Sequence, residues 1–108
     1  MSFEIIPTPN FSRELKRLAK KYPSLKMDFQ NLIQVLKENP FQGIELIKNC
    51  HKIRFAIKSK GKGKSGGGRL ITHIIVSENK VFLLHIYDKS ENESVSDVFL
   101  RSLLRDLE

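Results

Sequence analysis

Hydrophobic positions along this chain change period three times, and each change marks a new kind of element. Phe3, Ile5 and Ile6 suit a short first strand, stopped by Pro7 and Pro9. Phe11, Leu15, Leu18 and Tyr22 then recur at helical spacing, with Arg13, Lys16, Arg17, Lys20 and Lys21 on the other faces. Asn10 or Ser12 is the expected cap, and Pro23 ends the helix. Ser24 is the expected cap of a second helix, whose stripe of Leu25, Phe29, Leu32, Ile33 and Leu36 stops at Asn39-Pro40. The short link between the two implies a helical hairpin. Residues 41 to 51, with Gly43, Ile44, Leu46 and Ile47, read as a packed connection.

From Lys52 the period is two: Ile53, Phe55 and Ile57 alternate with Lys52, Arg54, Ala56 and Lys58, as in a strand with one buried face. The stretch SKGKGKSGGG over 59–68 has five glycines, and its backbone entropy predicts a mobile loop. Runs 69–77 and 81–88 are β-branched and apolar, joined by Glu78, Asn79 and Lys80, so they form an antiparallel hairpin. A last helix begins near Ser94 or Ser96 with Val95, Val98, Phe99, Leu103 and Leu107 on its apolar side. The order β-α-α-β-β-β-α places the chain in the α+β class, a small, largely antiparallel sheet with helices on one face and the other face open. With Ile53, Phe55 and Ile57 inward, Lys52, Arg54 and Lys58 project from the open face. The same alternation sends Leu70, Thr72, Ile74 and Val76 inward and Arg69, Ile71, His73 and Ile75 outward. It sends Phe82, Leu84 and Ile86 inward, with Val81, Leu83, His85 and Tyr87 outward.

The 108 residues fit one domain, 1–108. The single cysteine, Cys50, makes no internal disulfide and has no metal-ligand spacing around it, which fits a reducing compartment. No leader-like start and no bilayer-length apolar run stands in the sequence, so a soluble, cytoplasmic protein is expected. Charge adds more: the net value is +7, and from Leu46 to Ser77 there is no acid against Lys48, Lys52, Arg54, Lys58, Lys60, Lys62, Lys64 and Arg69. Such a concentrated basic surface is what a polyphosphate backbone selects, although a merely solvated basic face has the same composition.

Arg54 and Arg69 suit a bidentate grip on phosphate. His73 and His85 suit RNA contact or ordinary strand packing, and Tyr87 suits base stacking, proton transfer or a buried edge. Gly63-Lys64-Ser65 lacks the glycine of a Walker A loop, since Lys58 occupies that position, and a strand follows it. A polybasic loop that closes on a nucleic-acid backbone accounts for it better.

These residues also carry a resemblance. LKRLAKKYPSL (15–25), NPFQG (39–43), KIRFAIKSKGKGKSGGGRLIT (52–72) and LLHIYDKSE (83–91) resemble the RelE/HigB group of the RelE/ParE superfamily of bacterial toxins. The resemblance implies a compact sheet with flanking helices and a toxin that enters the ribosomal A site and cuts mRNA. It also implies a cognate antitoxin that blocks the toxin, and no metal or other cofactor. The implied chemistry is attack of a ribose 2′-OH on the adjacent phosphate, leaving a 2′,3′-cyclic phosphate and a 5′-OH. Matched by position, Arg54 and Arg69 would hold the scissile phosphate, and Lys89 would stabilise the leaving group. Tyr87 would stack or aid proton transfer. Lys52, Lys58, Lys60, Lys62 and Lys64, with His73 and His85, would contact RNA. Beyond residue 89 the only aromatic is Phe99, so the family's C-terminal catalytic tyrosine, or the His/Asp/Tyr set of its HigB branch, has no counterpart except Tyr87 and Asp88. A ParE-like toxin that inhibits a topoisomerase and an RNA-binding module without catalysis remain as alternatives.

Overall fold

The computed structural model describes residues 2–107. Strand β1 (Glu4–Pro7) leads to helices α1 (Pro9–Lys21) and α2 (Leu25–Glu38). Strands β2 (Ile44–Glu45), β3 (Cys50–Phe55), β4 (Gly68–Ile75) and β5 (Lys80–Asp88) precede helix α3 (Asp97–Arg105). The five strands form one sheet in the order β1-β5-β4-β3-β2, antiparallel except where β1 runs parallel to β5. The α+β class is as the periodicity implies, and the element order differs from it only by the added short strand β2. Pro7, which lacks an N–H, is accommodated because β1 is an edge strand.

The helix starts follow local chemistry with one shift. Thr8, not Asn10 or Ser12, caps α1: its hydroxyl oxygen accepts from the Phe11 N–H, and Pro9 takes the first helical position, where no N–H is needed. Ser24 stands at the head of α2, but its hydroxyl donates to Asp28 instead of capping. Ser96 caps α3.

The expected packed connection contains β2, which forms a hairpin with β3 through Lys48 and Asn49, both left-handed at φ 44° and 61°. Gly43 makes this possible: its φ is +83°, and a Cβ there would lie 2.1 Å from the Lys52 carbonyl oxygen. Gly43→Ala is therefore expected to cost at least about 1–3 kcal/mol of stability, read as a lower urea midpoint. Gly61→Ala should cost less, because no atom lies within 4 Å of a Cβ there. Equal costs would remove the close approach as the reason for Gly43.

Two clusters pack on the two faces of the sheet. Phe11, Leu18, Leu25 and Leu36 from α1 and α2 cover Ile53, Phe55, Leu70, Ile74, Val81, Leu83 and Ile86. On the other face Leu100 and Leu103 of α3 cover Cys50, Ile71, Leu84 and Tyr87. The second face is thus not open along its length; Ile71, Leu84 and Tyr87 are apolar enough to need cover, and α3 supplies it. Val98, expected on the apolar side of α3, is exposed.

A bulge accounts for a second difference. Ile71 pairs with His85 but Thr72 pairs with Leu83, which leaves Leu84 as an extra residue. Upstream of the bulge the alternation is reversed from expectation, so Val81 and Leu83 face α1 and α2 while Phe82 and Leu84 face α3. Downstream, Ile86 points to α1 and α2, and Tyr87 points to the α3 side, as the alternation implies.

Candidate nucleic-acid interface

Arg54, Arg69 and Tyr87 are direct partners across β3, β4 and β5. Directly paired residues on neighbouring strands share a face, so the three side chains form one row at the end of the sheet where the glycine loop meets it. Lys52, Ile71 and His85 make the next row, and Cys50, His73 and Phe82 the one after. Arg54 is exposed while Arg69 is buried. Among the described residues neither arginine has a carboxylate partner. Burial and then the charge of Arg54 push the Arg69 pKa down. Two like charges directly opposite one another destabilise a sheet, and an anion between them would relieve the repulsion.

The loop is tied at several points rather than free. Lys58 lies in a short 3-10 turn, Lys58–Lys60, and its N–H donates to Asp28. Arg69 donates from Nη1 to the carbonyls of Lys64 and Gly68 and from Nη2 to that of Ser65, all within 3.0 Å. Since a guanidinium has five N–H groups, two remain for another acceptor. The Lys89 N–H donates to the Gly67 carbonyl, so the loop also closes on the end of β5. Glycine entropy predicts mobility, and the fold offsets it with bonds from distant residues that no local pattern reveals.

The lysines divide accordingly. Lys62, Lys64 and Lys89 are exposed around the loop, and Lys52 is half-buried in β3. Arg54, Lys58 and Lys64 line a groove of about 290 Å³ beside α2. Lys60 is committed elsewhere: its ammonium lies 2.6 Å from Asp88 Oδ1 and 2.7 Å from Ser90 Oγ, with its side chain only 6% exposed. Asp88 is fully buried and also accepts from the Tyr22 hydroxyl and the Ser90 N–H. Sequence reasoning missed this cluster, for its members come from α1, the loop and β5 with no shared spacing.

Tyr87 is 1% exposed, and its hydroxyl has no hydrogen-bond partner among the described residues. Burial raises its pKa against the opposing pull of Arg69, so the phenol stays protonated at neutral pH. His85 stacks on it with centroids 5.7 Å apart and meets Phe99 edge-on at 4.9 Å. Burial also holds the His85 pKa down, and Nδ1 accepts from the Asn10 amide at 2.9 Å, leaving the proton on Nε2. His85 therefore orients Tyr87 instead of offering a free base. His73 is not brought to the row: it sits four residues from Arg69, about 13 Å along the strand, with Nδ1 3.8 Å from Cys50 Sγ. Burial pushes the Cys50 thiol up to about 11, so it is no nucleophile.

Among the described residues no three His, Cys, Asp or Glu side chains cluster as a metal site requires, and no helix is long and apolar enough to cross a membrane. No protein-family model matches the sequence, and no curated protein matches it either. Solved structures do. A mutant of E. coli toxin RelE in the free state superposes with a TM-score of 0.63 at 17% identity, covering 97% of this chain and 98% of that one. The toxin-antitoxin complex RelBE2 from Mycobacterium tuberculosis gives 0.60 at 15% identity, covering 82% of this chain and 99% of that one. The intact E. coli RelBE toxin-antitoxin complex gives 0.58 at 18% identity, with 81% and 96% covered. Identity this low establishes architecture alone, and in architecture this chain has the fold of the RelE toxins.

Proposed function

We propose that this chain is the toxin of a type II toxin-antitoxin pair, an endoribonuclease that cuts mRNA on the ribosome in a bacterial cytoplasm and is neutralised by a cognate antitoxin. The observation that carries the reading is the directly paired Arg54 and Arg69, two guanidiniums with no carboxylate partner among the described residues, beside Tyr87 and a lysine-bearing loop. In this reading Arg54 and the two free N–H groups of Arg69 grip the scissile phosphate and stabilise the charge that develops as a 2′-OH attacks. Tyr87, held protonated with a hydroxyl that has no partner among the described residues, donates a hydrogen bond. Lys52, Lys58, Lys62 and Lys64 bind the flanking backbone, and Lys89 meets the leaving oxygen. Lys60 acts indirectly, by fixing the start of the loop to Asp88. An antitoxin partner is supported by the likeness of fold, since the solved RelBE structures that share it are toxin-antitoxin complexes.

One observation favours a second reading, RNA binding without cleavage: Arg69 and Tyr87 are both nearly covered. Brief expression in a bacterial host, with and without the neighbouring reading frame, separates the two when new 5′-OH ends are mapped on cellular mRNA. New ends within codons, suppressed by the neighbour, are expected. Growth arrest without new ends would sink the nuclease and redirect the search to a protein target such as a topoisomerase. Absence of both would leave the binding module.

A further inference from the structure

A serine at the head of a helix ordinarily spends its hydroxyl on an N–H of the first turn. Ser24 does not: its backbone is helical, at φ −82° and ψ −8°, and its side chain makes no cap bond to α2. The hydroxyl turns to the start of the glycine loop instead. It donates to Asp28 Oδ2 at 2.7 Å, accepts from the Ser59 N–H at 2.8 Å and lies 2.9 Å from the Ser59 hydroxyl. Asp28 Oδ2 also accepts from the Lys58 N–H at 3.0 Å. A serine and an aspartate from the start of α2 thus hold consecutive N–H groups of the 3-10 turn that opens the loop. Asp28 is an unexpected residue for this place. It is only 7% exposed, and it is the one acid among the described residues that line the groove of about 290 Å³ with Arg54, Lys58 and Lys64. A carboxylate there repels the phosphates that the cations attract, so its presence calls for an offsetting role.

We propose that Asp28 and Ser24 are positioning residues for RNA: they fix the opening turn of the loop so that Lys58 and Lys64 stand beside Arg54 at one groove. Arg69 holds the far end of the same loop through the carbonyls of Lys64, Ser65 and Gly68. Bracketed from both ends, five glycines that would otherwise sample many conformations present their lysines already ordered, and bound RNA does not bear the cost of ordering them. The inference rests on the RNA-binding part of the reading above and not on cleavage. Charge and position predict opposite signs for the loss of Asp28. Removing an acid from a basic groove tightens RNA binding if charge is all that Asp28 contributes. Removing the residue that sets the loop weakens it.

The test compares wild type, Asp28→Ala, Ser24→Ala and Ser24→Thr in three measurements: amide exchange at Lys58 and Ser59, affinity for a short single-stranded RNA, and KM and kcat on programmed ribosomes. Both alanine variants should exchange faster at these amides and bind RNA about 10-fold more weakly, roughly the cost of ordering one more residue on binding. KM should rise by a similar factor with kcat kept. Ser24→Thr retains the hydroxyl and should restore all three. A role in stability alone reads differently, since a partly unfolded population lowers kcat and leaves KM unchanged. If Asp28→Ala does not fold, Ser24→Ala carries the test, because that side chain is only half-buried and uncharged. The proposal is overturned if Asp28→Ala binds RNA as tightly as wild type or more so, if Ser24→Ala leaves both amides protected, or if the loss falls on kcat alone. Wild type that binds RNA without cutting it, and binds less when either residue is lost, would sink the nuclease and keep this inference. Cleavage with affinity indifferent to both variants would do the reverse, and wild type that binds no RNA would end both.

Discussion

Arg69→Ala should lower RNA cleavage about 10²–10³-fold, the usual loss when one donor to a developing oxyanion is removed. The same change takes three hydrogen bonds from the carbonyls of Lys64, Ser65 and Gly68, so the loop should loosen as well. Arg54→Ala separates the two effects. Arg54 is exposed, and among the described residues the side-chain hydrogen bonds to the loop carbonyls come from Arg69, so loss of Arg54 should reduce cleavage while amide exchange in the loop stays slow. Arg69→Lys should not rescue Arg69→Ala, since one ammonium cannot bridge two loop carbonyls and still present a planar fork to phosphate. A folded Arg69→Ala protein that cuts RNA at the wild-type rate would remove the phosphate grip altogether.

Asp88→Asn should cost about 3–5 kcal/mol of folding stability, because it leaves the Lys60 ammonium buried without its counter-charge. Burial disfavours the ionised carboxyl, but Lys60, Tyr22 and the Ser90 N–H outweigh it and hold the Asp88 pKa at about 2, below the ordinary 3.8. The folded pKa lies under the unfolded one. The stabilisation is therefore complete above about pH 4 and is lost as pH falls from there through 2. That linkage amounts to about 2 kcal/mol, and the rest of the expected loss comes from the stranded lysine. Urea unfolding of both proteins at pH 7 and pH 2.5 checks this, with the gap between them narrowing at the lower pH. A gap that is small at pH 7, or that does not narrow in acid, would mean the cluster contributes little.

Much of the local architecture is legible in residue order. The stripe from Phe11 to Tyr22, the Lys52–Ile57 alternation and the Ser96 cap each follow from side-chain spacing and from groups that satisfy helix ends, whereas Ser24 marks the start of α2 without capping it. The Arg54–Arg69–Tyr87 row was also within reach, because all three residues lie where the two-residue period holds without interruption. His73 was correctly placed on that face, yet two rows from the site, since periodicity gives the face of a residue and not its distance from the loop. The Val81–Leu84 segment was misread because one extra residue at Leu84 inverts everything before it, and a bulge carries no local signal when both neighbours are apolar.

Class, the order of the longer elements and the concentration of positive charge between Leu46 and Ser77 are legible in the residues alone, since propensity, capping and period are properties of near neighbours. Folding in three dimensions sets the rest: α3 covers the second face, Lys60 is given to Asp88 rather than to solvent, and Arg69 fastens the glycine loop. The first two join residues distant in the chain, whereas Arg69 reaches carbonyls only one to five positions away that the path of the loop turns toward it, and the partner of a buried charge is chosen by which groups the fold leaves without water.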